Sequence, residues 1–217
     1  MMFENVREIW INAVNGTVRL EAWDEDHTSV SYTTHGEVEV EIQQEMSRLV
    51  INEKQRKKFR LFGGRKGWAE IEVKAPRNTI IKARNVNGEL YARGLRFQEA
   101  ITVNGEIELD SCEAELLTSV NGTIKARLAL AGPLTASTVN GELELDIEEL
   151  DDNIQVSTVN GDITLRLTDF CDARITTKKV NGDVELVGIN PEEPVIGAGT
   201  YDVRVSTVNG DVRVELV

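Results

Sequence analysis

Apolar and polar residues alternate along most of this chain on either side of a recurring Val-Asn-Gly tripeptide. Counting from the asparagine, apolar residues stand three and five places later, as in Ile163 and Leu165, and polar residues fill the places two and four beyond it. Upstream, apolar residues stand six and four places before the asparagine, as in Ile154 and Val156. A period of two is typical of β-strands with one buried and one wet face. The pattern therefore predicts a strand on each side of every tripeptide.

The tripeptide itself marks predicted corners between strands. Asparagine and glycine tolerate positive φ, so the chain can turn sharply there. Self-similarity at a short period is typical of repeat proteins, whose units bury their apolar faces against each other. The eight predicted structural turns are Asn15 and Gly16, Asn87 and Gly88, Asn104 and Gly105, Asn121 and Gly122, Asn140 and Gly141, Asn160 and Gly161, Asn181 and Gly182, and Asn209 and Gly210.

Two all-β folds fit this pattern. In a β-solenoid (β-helix), each Val-Asn-Gly would stack on the next at ~4.8 Å, like residues would form ladders, and the valine would enter the core. A bend or bulge at small pairs such as Ser157 and Thr158 would turn that valine inward. In an antiparallel β meander or sandwich of hairpins, the valine would point to the wrong side. We therefore favour a single-domain β-solenoid of stacked Val-Asn-Gly rungs and keep the meander as the alternative.

One continuous domain over residues 1–217 is expected, because no Pro-, Gly- or Ser-rich linker interrupts the chain. Within it, we expect irregular rungs with a basic arm over residues 43–74 and regular repeats over residues 75–217. Aromatic residues make up 5% of the chain, so the core must consist mainly of Val, Ile, Leu and Ala.

Several of these motifs resemble a known family. Val-Asn-Gly-Asp-Val-Arg-Val at positions 208 to 214, Ser-Thr-Val-Asn-Gly at 137 to 141 and 157 to 161, and Val-Lys-Ala-Pro at 73 to 76 are similar to the putative-adhesin domains of bacteria and archaea. The resemblance covers nearly the whole chain. It implies a β-solenoid domain of unknown function, and its motif is structural, so it carries no catalytic residue with it.

Charge and cysteine usage narrow the expected partners and compartment. The net charge of −13 opposes binding of nucleic acid, and contact with an anionic membrane is not expected either. Cys112 and Cys171 would stand three rungs apart, beyond disulfide reach, and unbridged thiols are typical of a reducing compartment. The chain starts without a signal-peptide pattern. We therefore expect a cytoplasmic rather than an extracellular location, with export without a leader, or removal of a leader, as alternatives.

A basic stretch runs against the acidic average. It interleaves seven cationic side chains with aromatic and aliphatic residues, and it lies in the long interval that lacks Val-Asn-Gly. The simpler interpretation is a solvated hairpin. The functional interpretation is an arm that binds an anion or a partner protein. The candidate residues are Lys54, Arg56, Lys57, Lys58, Arg60, Arg65 and Lys66.

Catalytic and metal-binding patterns are absent from the sequence. The residues two places after each asparagine form a predicted column rich in carboxylates, which we expect to stay unpaired on a wet surface rather than hold a cation, because each strand supplies one carboxylate. The two histidines, His27 and His35, are not spaced with other metal ligands. No nucleophile motif occurs. We therefore predict no catalytic residues, no metal site and no cofactor.

The last strand pattern suggests a self-association edge. A solenoid must cap or pair its open end, and the chain stops in mid-pattern at Val212, Val214 and Leu216. This predicts a homo-oligomer through the C-terminal rung. Together these features favour a non-enzymatic structural or interaction module, adhesin-like or self-assembling, with a protein or glycan partner. A glycan-binding or glycan-cleaving β-helix protein is the alternative.

Overall fold

The computed structural model describes residues 1–55 and 67–217, and its regular structure there is almost entirely strand. The one other element in this part of the chain is a 3-10 turn, Asp169–Cys171. The strands are β1 Met2–Glu4, β2 Glu8–Trp23, β3 His27–His35, β4 Val38–Glu45, β5 Arg48–Gln55, β6 Trp68–Pro76, β7 Ile80–Arg93, β8 Arg96–Asn104, β9 Ile107–Asn121, β10 Ile124–Asn140, β11 Leu143–Ile147, β12 Ile154–Asn160, β13 Ile163–Leu167, β14 Ala173–Asn181, β15 Val184–Val187, β16 Tyr201–Asn209 and β17 Val212–Leu216. The prediction of an all-β fold is confirmed.

Strand pairing in the repeat region is parallel and keeps the asparagine corners in register, with local register shifts between β9 and β10 and between β7 and β8. We call each Val-Asn-Gly with its flanking strands a unit and name it by its asparagine. Asn15 pairs with Asn87, Asn87 with Asn104, and Asn104 with Asn121. The series continues through the Asn140 and Asn160 units. Antiparallel strand pairs join β1 to β3, β3 to β6, and β4 to β5 near the N-terminus. The antiparallel meander is therefore wrong for the repeats.

The order of the units differs from their order in the chain at the C-terminal end. Asn160 pairs with Asn209, and Asn209 pairs in turn with Asn181. Strands β16 and β17 thus lie between the Asn160 and Asn181 units. β17 is paired on both sides, with β13 and with β15. The outermost unit at this end is therefore the Asn181 unit.

This order corrects the predicted self-association edge. Val212 and Val214 are buried, at 1% and 0% exposure, and Leu216 packs against the core. Their backbone groups are already paired with two neighbouring strands, so they cannot template the addition of another chain. The predicted homo-oligomer through the C-terminal rung loses its structural basis.

The valine before each asparagine faces outward, which corrects a second expectation. Val159 is 41% exposed, whereas Thr158 before it is 4% exposed. Pairing runs without a register shift from Leu134 and Ile154 to Thr138 and Thr158, so there is no bulge at the Ser-Thr pairs. The inward series simply continues to the threonine. The valine and the asparagine then both lie on the outside of the corner.

Three of the buried corner threonines satisfy their hydroxyl groups along the stack, whereas the hydroxyls of Thr102 and Ser119 at the same place in their units have no hydrogen-bond partner among the described residues. The Oγ1 atoms of Thr138, Thr158 and Thr207 each donate to a glycine carbonyl oxygen of the preceding unit at 3.3 Å. A buried hydroxyl without a partner would cost free energy, so these bonds allow a polar side chain inside the corner. The remaining core is aliphatic apart from Phe97 and the two cysteines, and it runs as one cluster from Val6 to Val214. The division into residues 43–74 and 75–217 stays a prediction.

Candidate functional site

The corners stack so closely that their polar groups form a continuous ladder. Each asparagine Nδ2 donates to the Oδ1 of the asparagine before it in the stack, at 2.7–2.9 Å, over all eight units. Amide side chains suit this arrangement because each carries both a donor and an acceptor. Aspartate at the same positions would lack the donor and would repel its neighbours.

The glycines of the corners are required by close backbone approach as well as by φ. Gly161 has a φ of +154°, and a Cβ built there would lie 1.9 Å from the carbonyl oxygen of Gly141. Gly141 itself is outside the left-handed region, yet its Cβ would lie 2.1 Å from the carbonyl oxygen of Gly122. Crowding between units therefore excludes side chains even where φ does not.

The outer face of the second strand of each unit carries two parallel columns of side chains. The four-place column holds the residues four positions after each asparagine, and the six-place column holds those six positions after it. In stacking order the four-place column is Arg19, Tyr91, Glu108, Lys125, Glu144, Thr164, Arg213 and Glu185. In stacking order the six-place column is Glu21, Arg93, Asp110, Arg127, Asp146, Arg166, Glu215 and, in the outermost unit, the uncharged Val187.

The six-place column alternates in charge from one unit to the next. Asp110 lies 3.4 Å from Arg93 and 3.1 Å from Arg127. Asp146 lies 4.0 Å from Arg127 and 2.8 Å from Arg166. Hydrogen bonds to Asp146 and to a neighbouring glutamate raise the pKa of Arg166. If one unit were skipped in the stack, like charges of this column would become neighbours. The column therefore favours the observed order of the units.

A groove runs between these two columns. A cavity of about 440 Å³ opens at its N-terminal end and another of about 260 Å³ follows it, and Glu108 and Asp110 line both. The first cavity is also lined by residues of β6, including Glu72 and Lys74, which pair with β2. Side chains from six neighbouring strands thus border one continuous depression along the stack.

Tyr91 supplies the aromatic surface of this groove. The guanidinium carbon of Arg19 lies 5.0 Å from the centre of the Tyr91 ring, a cation–π contact. Partial burial, a hydrogen bond with Glu89 and further nearby carboxylates raise the pKa of the Tyr91 hydroxyl, so it stays protonated at neutral pH. An aromatic face bordered by hydrogen-bonding groups can hold a ligand that has both apolar faces and polar edges.

The carboxylate column two places after each asparagine is better satisfied than the sequence suggested. Asp162 Oδ1 accepts the backbone N–H of Asp211 at 2.8 Å, and Asp211 Oδ1 accepts that of Asp183 at 2.7 Å. Lys125 lies 3.0 Å from Glu106, and this contact raises the pKa of the lysine. The expectation that this column stays unpaired is therefore wrong. Across residues 1–55 and 67–217, no group of three or more His, Cys, Asp or Glu residues is placed to hold a metal ion.

Most of the predicted basic arm falls outside the part of the chain that the structure describes. Arg56, Lys57, Lys58, Arg60, Arg65 and Lys66 lie outside the described residues. Lys54 belongs to β5 and is ion-paired with Glu41. An anion or partner site on this arm therefore stays a prediction.

The histidines and cysteines are placed in packing positions. His35 stacks on Trp68 with 4.0 Å between ring centres, and His27 packs edge-on against Trp23. Cys112 and Cys171 are buried free thiols. Burial raises the pKa of each thiol, which keeps it in the unreactive protonated form at neutral pH.

The six-place column and the groove were not recognised from the sequence. Their signal was present, because extending the count by one more step of two gives Glu, Arg, Asp, Arg, Asp and Arg from the Asn15 unit to the Asn160 unit. Only the last charge, that of Glu215, requires placing the C-terminal unit directly after the Asn160 unit, which the chain order hides because Val187 comes first.

Comparison with known families agrees with the stacked parallel architecture. The model of the Toastrack DUF4097 family matches residues 86–215. The chain belongs to this family. The Toastrack match begins at the second Val-Asn-Gly and covers the parallel strands that form most of the groove, including Tyr91 and Asp110.

Two solved structures are similar to the Toastrack chain to different degrees. A putative adhesin from Bacteroides fragilis is 13% identical, with a TM-score of 0.54, and the alignment covers 99% of this chain and 96% of that one. A putative cell adhesion protein from Clostridium sporogenes is 11% identical, with a TM-score of 0.37 and coverage of 99% and 94%. A search of curated proteins finds no significant match. In the described part of the chain, no helix has the length and hydrophobicity needed to span a membrane.

Proposed function

We propose that this protein is a non-enzymatic, adhesin-like interaction module in which the Val-Asn-Gly units are the rungs of a β-solenoid. The observation that carries the proposal is the in-register repetition of outward side chains. Eight units spaced by ~4.8 Å present the same chemical positions along about 34 Å of surface. Such a surface suits an extended polymeric partner, since successive segments of the partner can meet outward side chains at a constant spacing.

The groove between the four-place and six-place columns is the binding surface in this proposal. It is concave, it combines an aromatic ring with charged groups, and it runs parallel to the repeat direction. Binding sites generally combine a concave surface with a few convergent polar groups. The Bacteroides fragilis relative, which shares the fold, is described as a putative adhesin, and this description agrees with an adhesive role.

Glycan cleavage is the weaker candidate. A glycosidase needs one carboxyl group that holds a proton and a second that is ionised. Asp110 and Asp146 in the groove are both paired with arginines, so their charge is already engaged in the column. The groove therefore offers positioned contacts rather than an acid and base pair.

A cytoplasmic location remains our prediction for the compartment.

A length-dependence experiment tests the proposed function. The purified protein is immobilised and titrated with extended polymers, namely linear glycans and unfolded polypeptides, each as a series from monomer to long chain. Affinity should rise with length until the ligand spans the stack, and the polymers should be recovered uncut by mass spectrometry. Absence of binding to every polymer, or measurable shortening of one, would contradict the proposal.

A further inference from the structure

The groove is long enough for several residues of a linear polymer. Its two cavities are bordered by β6, β2, β7, β9, β10 and β11 in spatial order. Six strands at a spacing of ~4.8 Å give a groove of about 24 Å. Because Glu108 and Asp110 line both cavities, a ligand can pass from one to the other without leaving the surface.

The groove is close to electrically neutral although the protein is strongly acidic. Its walls hold five cationic and six anionic side chains, whereas the chain as a whole carries a net charge of −13. Neighbouring charges are paired, as in Lys74 with Glu21 at 3.3 Å and Arg93 with Asp110 at 3.4 Å. A polyanion or polycation would have to break these pairs or be repelled by one partner of each. The balance of charge therefore favours an uncharged ligand with many hydroxyl groups.

The Tyr91 ring fits such a ligand. One face of a pyranose ring is lined with C–H groups and packs on aromatic rings, while its edge carries hydroxyl groups that bind carboxylates and guanidinium groups. Tyr91 stands between the two ends of the first cavity, with Arg19 and Glu108 as its neighbours in the four-place column. The Arg19 guanidinium already covers one face of the Tyr91 ring, so the sugar must pack on the other face or displace Arg19, and in both cases the polar groups needed for the hydroxyl edge lie next to the ring.

From these features we propose that the groove binds a neutral, linear glycan that lies along the stack, with one sugar residue packed on Tyr91. This inference rests on the proposed function and names the class of its partner. An extended pyranose chain advances by a distance similar to the ~4.8 Å spacing of the strands, so successive sugars meet successive units. Each sugar then contacts one outward pair of side chains, and affinity grows with the number of sugars.

Calorimetric titration tests this assignment with defined probes. The wild-type protein is titrated with the neutral hexasaccharides cellohexaose, xylohexaose and mannohexaose, and with anionic hexagalacturonate and cationic chitosan hexamer. At least one neutral probe should bind more tightly than both charged probes. Tyr91→Ala should weaken that binding about tenfold, because the stacking contact is lost, and Tyr91→Phe should retain it. Thr164→Ala is the matched control, since Thr164 occupies the same column beyond both cavities.

Each outcome decides the proposal. Retained circular dichroism spectra exclude unfolding of the variants, and amide NMR shifts of the wild type locate the bound sugar independently of mutation. Neutral-glycan binding that depends on Tyr91 and not on Thr164 supports the assignment. Binding unaffected by Tyr91→Ala, a preference for a charged probe, or no binding of any neutral probe overturns it. If polypeptides bind where glycans do not, the glycan assignment fails and the adhesin-like function stands.

Discussion

Gly141 offers a sharp test of how closely the units approach each other. Its φ lies outside the left-handed region, so backbone torsion alone would allow an alanine there. If no neighbouring unit approached this position, replacing glycine by alanine would stabilise the fold, because alanine lowers the conformational entropy of the unfolded chain. In the stack, however, the new Cβ would lie 2.1 Å from the carbonyl oxygen of Gly122 and 2.7 Å from its carbonyl carbon.

The expected cost of Gly141→Ala follows from the displacement that this contact requires. The methyl group must move away from the Gly122 oxygen by about 1.3 Å or more to reach an ordinary contact distance. That shift weakens the bonds from Gly122 N–H to Asn140 O at 3.0 Å and from Asn140 Nδ2 to Asn121 Oδ1 at 2.9 Å, and also the bond from Gly141 N–H to Asn160 O at 3.0 Å. At about 0.5–1.5 kcal/mol for each bond, the free energy of unfolding should fall by about 2–4 kcal/mol.

Urea unfolding followed by circular dichroism measures this change. Gly188→Ala is the matched control, because Gly188 has a φ of +72° but its nearest neighbours, in Leu216, lie 3.3 and 3.4 Å from a built Cβ. Its cost should be the torsional cost alone, about 1–2 kcal/mol. If Gly141→Ala unfolds at the wild-type urea concentration, or loses less stability than Gly188→Ala, the argument from close approach is refuted.

Three further changes probe the buried and charged columns. Thr158→Val keeps the shape of the side chain but removes the hydrogen bond to Gly141 O, so the free energy of unfolding should fall by about 0.5–1.5 kcal/mol in urea titrations, and an unchanged value would show that the bond contributes nothing. Arg166→Gln removes the surface contact with Asp146, so the free energy of unfolding should fall by about 0.5–1 kcal/mol. This decrease should be smaller in 1 M salt, which screens the charges. A decrease that does not depend on salt would point to packing instead. Burial raises the pKa of Glu53, so its carboxyl favours folding while it is protonated, and this contribution to stability is lost as the pH rises through the folded-state pKa. The stability of Glu53→Gln relative to wild type, measured by thermal unfolding, should therefore increase between pH 4 and pH 7. A difference that stays constant with pH would contradict the raised pKa.

The strands were predictable because the alternation of apolar and polar residues is strictly local. Ile163 and Leu165 are buried where the pattern places them. The valine of each corner misled the prediction because its hydrophobicity suggests burial, whereas strand parity assigns the inward place to the threonine before it. Parity prevails even at Thr102 and Ser119, whose hydroxyls have no partner among the described residues, and in three other units the buried threonine hydroxyl finds a glycine carbonyl within the stack.

The order of the units was not predictable from the repeats. The units offer similar backbone edges, so backbone pairing alone does not decide whether Asn160 pairs with Asn181 or with Asn209. The charge of Arg166 favours the Asn209 unit, because Arg166 lies 3.9 Å from Glu215 there and the Asn181 unit has Val187 at this place. The choice also depends on the connections, namely the 3-10 turn at Asp169–Cys171 and the segment 188–200, part of which bonds along β14 through Pro194 and Ile196. Such irregular segments carry no periodic signal. The groove could not be predicted for the same reason, because its walls come from several strands and the sequence does not show which strands are neighbours.

The position of β16 and β17 between two earlier units has a consequence for how the molecule forms. A nascent chain can add its layers one after another as far as the Asn160 unit, each closing on a surface already made. The Asn181 unit emerges next but finds its site only after β17 has been synthesised and has occupied the intervening layer. Assembly of this end therefore cannot be vectorial, and the last two layers must be completed together.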